Sequence, residues 1–332
     1  MKRILNTTLL LAVMMLSAFV ANAYDFQAGG IYYSINTGGN SVTVTSGDNS
    51  FRYSGNVTIP ATVTNDGKQY NVTAIGYQAF YDCKELEAVT IGSKVKSIGS
   101  YAFRYCTALK AVSIPNSTEE MAYYAFSDCS NLKSITIGTG LKAIPENAFQ
   151  NAPVTSLAIP GNVETIGSAA FDGCSHLTQL TIEEGVVNID GNAFSSCSTL
   201  PSVVIPNTVK TIGYRAFYNC KELEELTLGS KVKSIGSSAF RYCNELKTIT
   251  SRNEEAPVMA SDDCFSVYET AKLYIPIGSK DSYNSTNYWN KFTDVTEKKM
   301  DNTGGPVVGD VNGDGVVNIA DINFIINIIL KN

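Results

Sequence analysis

The sequence predicts a solenoid, a stack of short coils that share one continuous apolar core. An Ala-Phe pair recurs at Phe80, Phe103, Phe126, Phe149, Phe171, Phe194, Phe217 and Phe240, at intervals of 22 or 23 residues. Three residues after each Phe stands Cys83, Cys106, Cys129, Cys174, Cys197, Cys220 or Cys243, with Ala152 in the fourth unit. Three further on comes Leu86, Leu109, Leu132, Leu177, Leu200, Leu223 or Leu246, with Val154 taking that place in the shortened unit. A unit this short has too little surface to bury its own apolar side, so a fixed period of this size signals stacked repeats.

Composition sets the outer limits. Of 332 residues 44% are hydrophobic and 17% charged, enough to bury a long core. A net charge of −6 argues against a nucleic-acid partner, which needs a face rich in Lys and Arg. A single His excludes any site built on two imidazoles, such as the HExxH zinc site. No nucleophile-base pair, paired-carboxylate motif or Gly-rich phosphate loop stands in a context that would let it act, so the chain reads as no enzyme.

Each element follows in order. Residues 1–23 read as a signal peptide: Lys2 and Arg3, an apolar run from Leu9 to Val20, then Ala21-Asn22-Ala23 as a cleavage site. That run is too short to cross a bilayer. The chain is therefore expected to be exported, secreted or surface-held with the periplasm still open, and without a transmembrane anchor. Residues 24–70, rich in Gly, Ser, Thr and Asn, read as a β-rich cap ending in a degenerate first coil, because an open solenoid end would expose the core.

The solenoid proper is expected over 71–277, as about eight units plus a degenerate one. Within a unit, L-x-x-V-x-I alternates like a short strand, a Pro or Gly turns the chain, and V-x-x-I-G makes a second extended segment. The A-F-x-x-C stretch is expected to form one helical or 3₁₀ turn. Tyr283, Tyr288, Trp289 and Phe292 supply bulk for a closing cap over 278–300, and 301–305 reads as a linker.

Side chains outside the core offer few sites. Eight Cys in an exported chain suggest disulfides, yet seven share one repeat position beside the core Leu and Phe. The reading adopted is a ladder of reduced, buried thiols, since pairing would pull coils out of even stacking. Thr90, Ser113, Thr136, Thr181, Thr227 and Thr250 take the outward strand position. They make either a flat hydrogen-bonding ligand face or an ordinary solvent face of β-favouring residues. Tyr81, Tyr105, Tyr124, Tyr218 and Tyr242 flank the A-F-x-x-C turns, either covering the core edge with hydroxyls in water or stacking on sugar rings. His176, at a variable turn position, reads as merely exposed.

The strongest chemical motif is C-terminal. Asp310, Asn312, Asp314, Asn318 and Asp321 place side-chain oxygens at positions 1, 3, 5, 9 and 12 of a twelve-residue loop. Gly315 stands at position 6, and Val316 can offer its carbonyl at 7. Oxygens converging at this spacing suit Ca2+, and the Gly permits the sharp turn. Beyond the loop, Ile322, Ile325, Ile326 and Ile329 form an apolar stripe at helical spacing, a candidate partner surface.

Two resemblances follow from these motifs. A-F-x-x-C-x-x-L-x-x-V-x-I-P over about residues 71–250 resembles the BspA-like leucine-rich repeats of bacterial surface proteins. The resemblance implies a right-handed leucine-rich-repeat solenoid with the L-x-x-V-x-I strands in one sheet, and an exported protein that binds protein or glycan in adhesion. Residues 306–332 resemble a dockerin type I repeat, with one loop and one helix where a full dockerin has two of each. That implies, as an alternative, an accessory component of an extracellular, polysaccharide-degrading type of complex. The apolar stripe would then meet a cohesin-like partner or a second copy, or pack on its own chain.

Overall fold

The computed structural model describes residues 24–47 and 52–300. Residues 1–23, read as a signal peptide, residues 301–305, read as a linker, the expected calcium loop 310–321 and the stripe from Ile322 to Ile329 lie outside the described residues.

The period builds a β-solenoid of about ten turns. Each coil lays down two short strands that pair in parallel with their equivalents in the next coil. The L-x-x-V-x-I strands make the first face. Ser134, Ile135 and Thr136 lie opposite Ala111, Val112 and Ser113, and Glu225 to Leu228 opposite Thr248 to Ser251. The V-x-x-I segments make a second face, with Ile166, Ile189, Ile212 and Ile235 in one register row. The second extended segment is thus in register with its neighbours and makes a parallel face of its own beside that of the L-x-x-V-x-I strands.

Close approach on the second face needs glycine. A β-carbon on Gly236 would stand 2.5 Å from backbone atoms of Gly213 and Tyr214 in the coil below. No side chain fits there without shifting backbone.

The A-F-x-x-C turn forms a third wall and departs from the expected helical or 3₁₀ turn. Residues two before and two after each Phe sit at positive φ: Tyr101 at 58° and Tyr105 at 63°, Asn192 at 57° and Ser196 at 58°. Left-handed residues break a helix, and here they let the backbone N–H groups alternate in direction. Gln78, Phe80 and Asp82 donate to carbonyls of the next coil, Ser100, Ala102 and Arg104, at 3.1, 2.7 and 2.8 Å. Ala79, Tyr81 and Cys83 instead close turns within their own coil, at 3.1 to 3.3 Å. Asn and Asp tolerate positive φ, whereas Tyr or Arg there costs about 1–2 kcal/mol, offset by the inter-coil hydrogen bonds.

Inside the turn the phenyl rings form one stack. From Phe80 to Phe265 successive rings are 4.7 to 5.4 Å apart and within 13° of parallel. Phe265 continues the stack although Cys264, not Ala, precedes it and the interval lengthens to 25 residues. That coil, and another built from Gly55–Thr58 and Lys68–Ile75, bring the stack to about ten turns.

All eight Cys are free and buried. Seven line the inner corner. Cys106 Sγ lies 3.1 Å from the Phe80 carbonyl of the preceding coil, and Cys129, Cys220 and Cys243 repeat the contact at 3.1, 3.4 and 3.1 Å. A thiol is thus small enough for the corner and adds a second, weak hydrogen bond to a buried carbonyl such as that of Phe80, which already accepts the Cys83 N–H. Cys264, in the Ala slot, is the one that does not belong to the row.

Both ends of the stack are covered. At the start, β1 (Phe26–Ala28), β2 (Ile31–Ile35) and β3 (Ser41–Thr45) form an antiparallel meander. The coil beneath it comprises β4 (Gly55–Thr58), β5 (Thr62–Asn65) and β6 (Lys68–Ile75), and β3 joins β6 in parallel. Asp66 and Gly67, at φ 49° and 75°, turn β5 into β6 as a tight hairpin inserted into that coil. Tyr53 lays its ring 4.4 Å from Phe80, and its hydroxyl donates to the Thr45 carbonyl at 2.7 Å. At the far end, Tyr283, Trp289 and Phe292 are buried, with Trp289 and Phe292 rings 6.0 and 5.6 Å from Phe265. Trp289 Nε1–H donates to the Pro257 carbonyl at 2.6 Å, and Tyr283 to Ser251 Oγ at 2.6 Å. Asp294–Lys298 adds a last parallel strand beside Lys272–Pro276.

Candidate ligand-binding face

The turn wall decides which side chains are outside. With Ala, Phe and Cys inward, most residues three before, two before, one after and two after each Phe project to solvent or lie over the core edge, and the small Ser127, Asn147, Ser195 and Ser238 are buried there. In the first coils the former include Tyr77, Tyr81, Tyr101, Arg104, Tyr105, Tyr123 and Tyr124. Coil stacking then brings together rings about 23 residues apart in sequence. Tyr101 and Tyr124 stack at 5.2 Å and 9°, and Tyr81 meets Tyr105 edge-on at 5.7 Å and 76°.

Arg104 lies among these rings. Its guanidinium is 4.5 Å from the Tyr105 ring centre, 4.9 Å from Tyr124 and 5.6 Å from Tyr101, and Nε is 3.1 Å from Asp128 Oδ2. Its charge is therefore spent locally, and the rings it covers are held in place. Packing among the neighbouring rings, chiefly through lost hydration, also raises the Tyr101 hydroxyl above its ordinary value. Tyr77 and Tyr123 remain 64% and 47% exposed at the rim.

A second cluster lies farther along the same wall. Tyr218 meets Tyr242 edge-on at 5.2 Å and 75°. Arg215 covers Tyr214 and Tyr218 at 4.8 and 4.6 Å, and Arg241 covers Tyr242 at 5.0 Å. Arg241 Nη1 is 3.1 Å from Asp263 Oδ2, and hydrogen bonds from Ser238 and Ser261 hold that carboxyl below its usual range. Between the clusters the wall is polar and mostly uncharged, with Asn147, Gln150, Asn151, Asn192 and Ser196. Asn151 there donates to Asp128 at 2.8 Å.

The threonine row occupies the first sheet face. Thr90, Ser113, Thr136 and Thr181 are exposed, and Thr227 and Thr250 are half-buried. In register the row also holds Ala158 opposite Thr181 and Val204 opposite Thr227, so the hydroxyls are interrupted twice. Ion pairs run beside it, Lys110 to Glu87 at 2.9 Å and Lys247 to Glu224 at 2.8 Å. His176 is exposed, with Nδ1 3.3 Å from Ser175 Oγ.

Sequence reasoning found five of the clustered tyrosines but missed Tyr77, Tyr101, Tyr123 and Tyr214, and all three arginines. Their fixed offsets from each Phe were the available signal. Among the described residues there is no group of His, Cys, Asp and Glu placed to hold a metal ion, and no helix long and apolar enough to cross a membrane.

No curated protein matches the chain. Among solved structures it is similar to a leucine-rich cell surface protein of Faecalibacterium prausnitzii, at 24% identity over 83% of this chain and 95% of that one, TM-score 0.37. It is similar to a leucine-rich repeat protein of T. pallidum at 22% identity over 83% and 100%, TM-score 0.39. The pneumococcal vaccine antigen PcpA follows at 20% identity over 83% and 98%, TM-score 0.37. The model of the BspA type leucine-rich repeat region matches residues 45–178 and 164–291, in six copies. The repeat unit, the two parallel faces and that match together place the chain in the BspA type leucine-rich repeat family.

Proposed function

We propose that this chain is a non-catalytic, exported adhesion protein that binds a protein ligand at the bacterial surface through its tyrosine-arginine turn wall. The observation that carries this reading is the makeup of the wall. Exposed Tyr held by Arg, set among Asn, Ser and Asp, is the composition of protein-binding surfaces. A sugar ring stacks on a free aromatic face, and here guanidinium groups and neighbouring rings occupy faces of Tyr101, Tyr105 and Tyr124. Protein is therefore favoured over glycan.

The test presents the full exported chain to an array of purified extracellular-matrix glycoproteins, native and deglycosylated, beside an array of free oligosaccharides. Binding to matrix protein that survives deglycosylation and weakens at least tenfold in Tyr77→Ala/Tyr123→Ala supports the reading. Binding confined to the free sugars, or unchanged in the variant, overturns it and returns attention to the threonine row.

The C-terminal loop favours a second reading, assembly onto a larger extracellular complex. Five oxygen side chains stand at the five spacings that Ca2+ ligation demands. Calcium would offset the mutual repulsion of Asp310, Asp314 and Asp321, and the Ile322 to Ile329 stripe would then meet a cohesin-like partner or a second copy. Calorimetry of the full chain should show calcium binding that Asp310→Ala/Asp314→Ala removes; no binding at millimolar calcium would end this reading.

A further inference from the structure

We propose, resting on the turn-wall reading, that the chain carries two copies of one protein-binding site, six coils apart, and grips a partner that presents the same element twice. The starting observation is in the sequence. Residues 77–106 and 214–243 are identical at 24 of 30 positions. The repeat itself does not demand this. Residues 77–106 and the directly following frame 100–129 share 11 of 30, nearly all of them core-facing. What the distant pair adds is outward: Tyr77 with Tyr214, Tyr81 with Tyr218, Arg104 with Arg241, Tyr105 with Tyr242.

The two copies also share geometry. Each has a Tyr pair meeting edge-on, at 5.7 Å and 76° in one and 5.2 Å and 75° in the other. Each has an Arg over the second Tyr of that pair, at 4.5 and 5.0 Å. Each guanidinium is held by a carboxylate 3.1 Å away.

That carboxylate is the decisive detail. Asp128 comes two residues after its Phe and Asp263 two residues before its Phe, and both lie outside the repeated block. The clamp was thus not copied with the block; each copy acquires it from a different position. Copying alone explains the Tyr and Arg but not a clamp reached by two routes, whereas a common demand on both surfaces explains all three.

Charge describes the partner. Arg104 and Arg241, the arginines common to both copies, are each neutralised by a carboxylate, while Arg215, at the place of Gln78, lies over Tyr214 and Tyr218 in the second copy only. The surface the two copies share therefore offers ring edges, hydroxyls and amides with little net charge. It suits a near-neutral, partly apolar protein segment. Six coils put the sites about 29 Å apart along the stack, and the solenoid keeps that spacing stiff. A partner that repeats its segment at a matching distance gains from linkage, while one with a single segment does not.

A constrained-peptide phage library panned on the full exported chain supplies the probe. The enriched peptide should bind with a stoichiometry of two by calorimetry. Tyr81→Ala/Tyr105→Ala and Tyr218→Ala/Tyr242→Ala should each reduce it to one, and their combination to zero. Two copies of the peptide joined by a linker that spans the sites should bind about 100-fold tighter than one, and a linker too short should not. If a double variant fails to fold, Tyr77→Ala and Tyr214→Ala at the exposed rim replace it, read as weakened binding at one site of the two. A stoichiometry of one that only the first variant abolishes overturns the two-site proposal and leaves the turn-wall reading standing. Peptides indifferent to both variants, or no enrichment at all, overturn the turn-wall reading itself.

Discussion

The inner and outer sides of the A-F-x-x-C turn are a few ångströms apart and obey different rules. Inside, nine stacked Phe rings and seven Cys hold the same place coil after coil. Outside, the same turns carry Tyr and Arg in some coils and Asn, Gln, Ser or Ala in others. The difference teaches where each kind of information sits. Stacking demands that every coil present the same shape to the next, so the inner side is periodic. Solvent makes no such demand, so variation outside is the default and a recurrence there, such as that of residues 77–106 in 214–243, needs a cause other than stacking.

The largest test of the comparison is alkaline pH, which reaches the thiols of the inner side before the phenols of the outer wall. Burial raises the Cys83 thiol to about 11 and moves those of Cys106, Cys197 and Cys220 well above the ordinary value. A folded chain thus keeps protons that the unfolded chain releases above about pH 9. Stability is complete below that pH and is lost as pH rises toward the folded values, at about 1.4 kcal/mol per pH unit for each thiol. Urea unfolding followed against pH should be flat from 6 to 8.5 and then fall steeply, several thiols acting together. A flat profile to pH 10.5 would mean that the thiols are paired or exposed.

A smaller effect isolates one rung. Cys197→Ala should cost about 1–2 kcal/mol at pH 7, a small volume plus a weak hydrogen bond, and should make the alkaline fall shallower by one thiol's share. Thiol titration of the denatured chain should find all eight free. Three or four disulfides in that titration would break the ladder.

Much of the inner side was legible, because the Phe, Leu, Ile and Cys positions repeat and apolar periodicity is the plainest signal a chain carries. The left-handed residues were not. A-F-x-x-C fits a helical turn equally well, and Tyr101, Tyr105 and Arg215 are poor advertisements for positive φ. Phe265 was hidden by Cys264 in the Ala slot and by a longer interval. The clusters of the outer side stayed hidden for a different reason. Tyr81 and Tyr105 are neighbours only because one coil lies on another, and Arg104 joins three rings drawn from two turns. Spacing alone assigned five of the nine rings to the flanks of the turn; which rings meet is decided by coil stacking.

The division between a load-carrying inside and a free outside is tested most directly by two residues of one turn. Phe126 is fully buried in the ring stack, and Tyr124, two positions earlier, is half-buried on the wall. Urea unfolding of Phe126→Ala and Tyr124→Ala should give losses of about 3–5 kcal/mol and under about 1 kcal/mol respectively. Equal losses at the two positions would contradict the account, since the outer side would then be holding the fold instead of standing free of it.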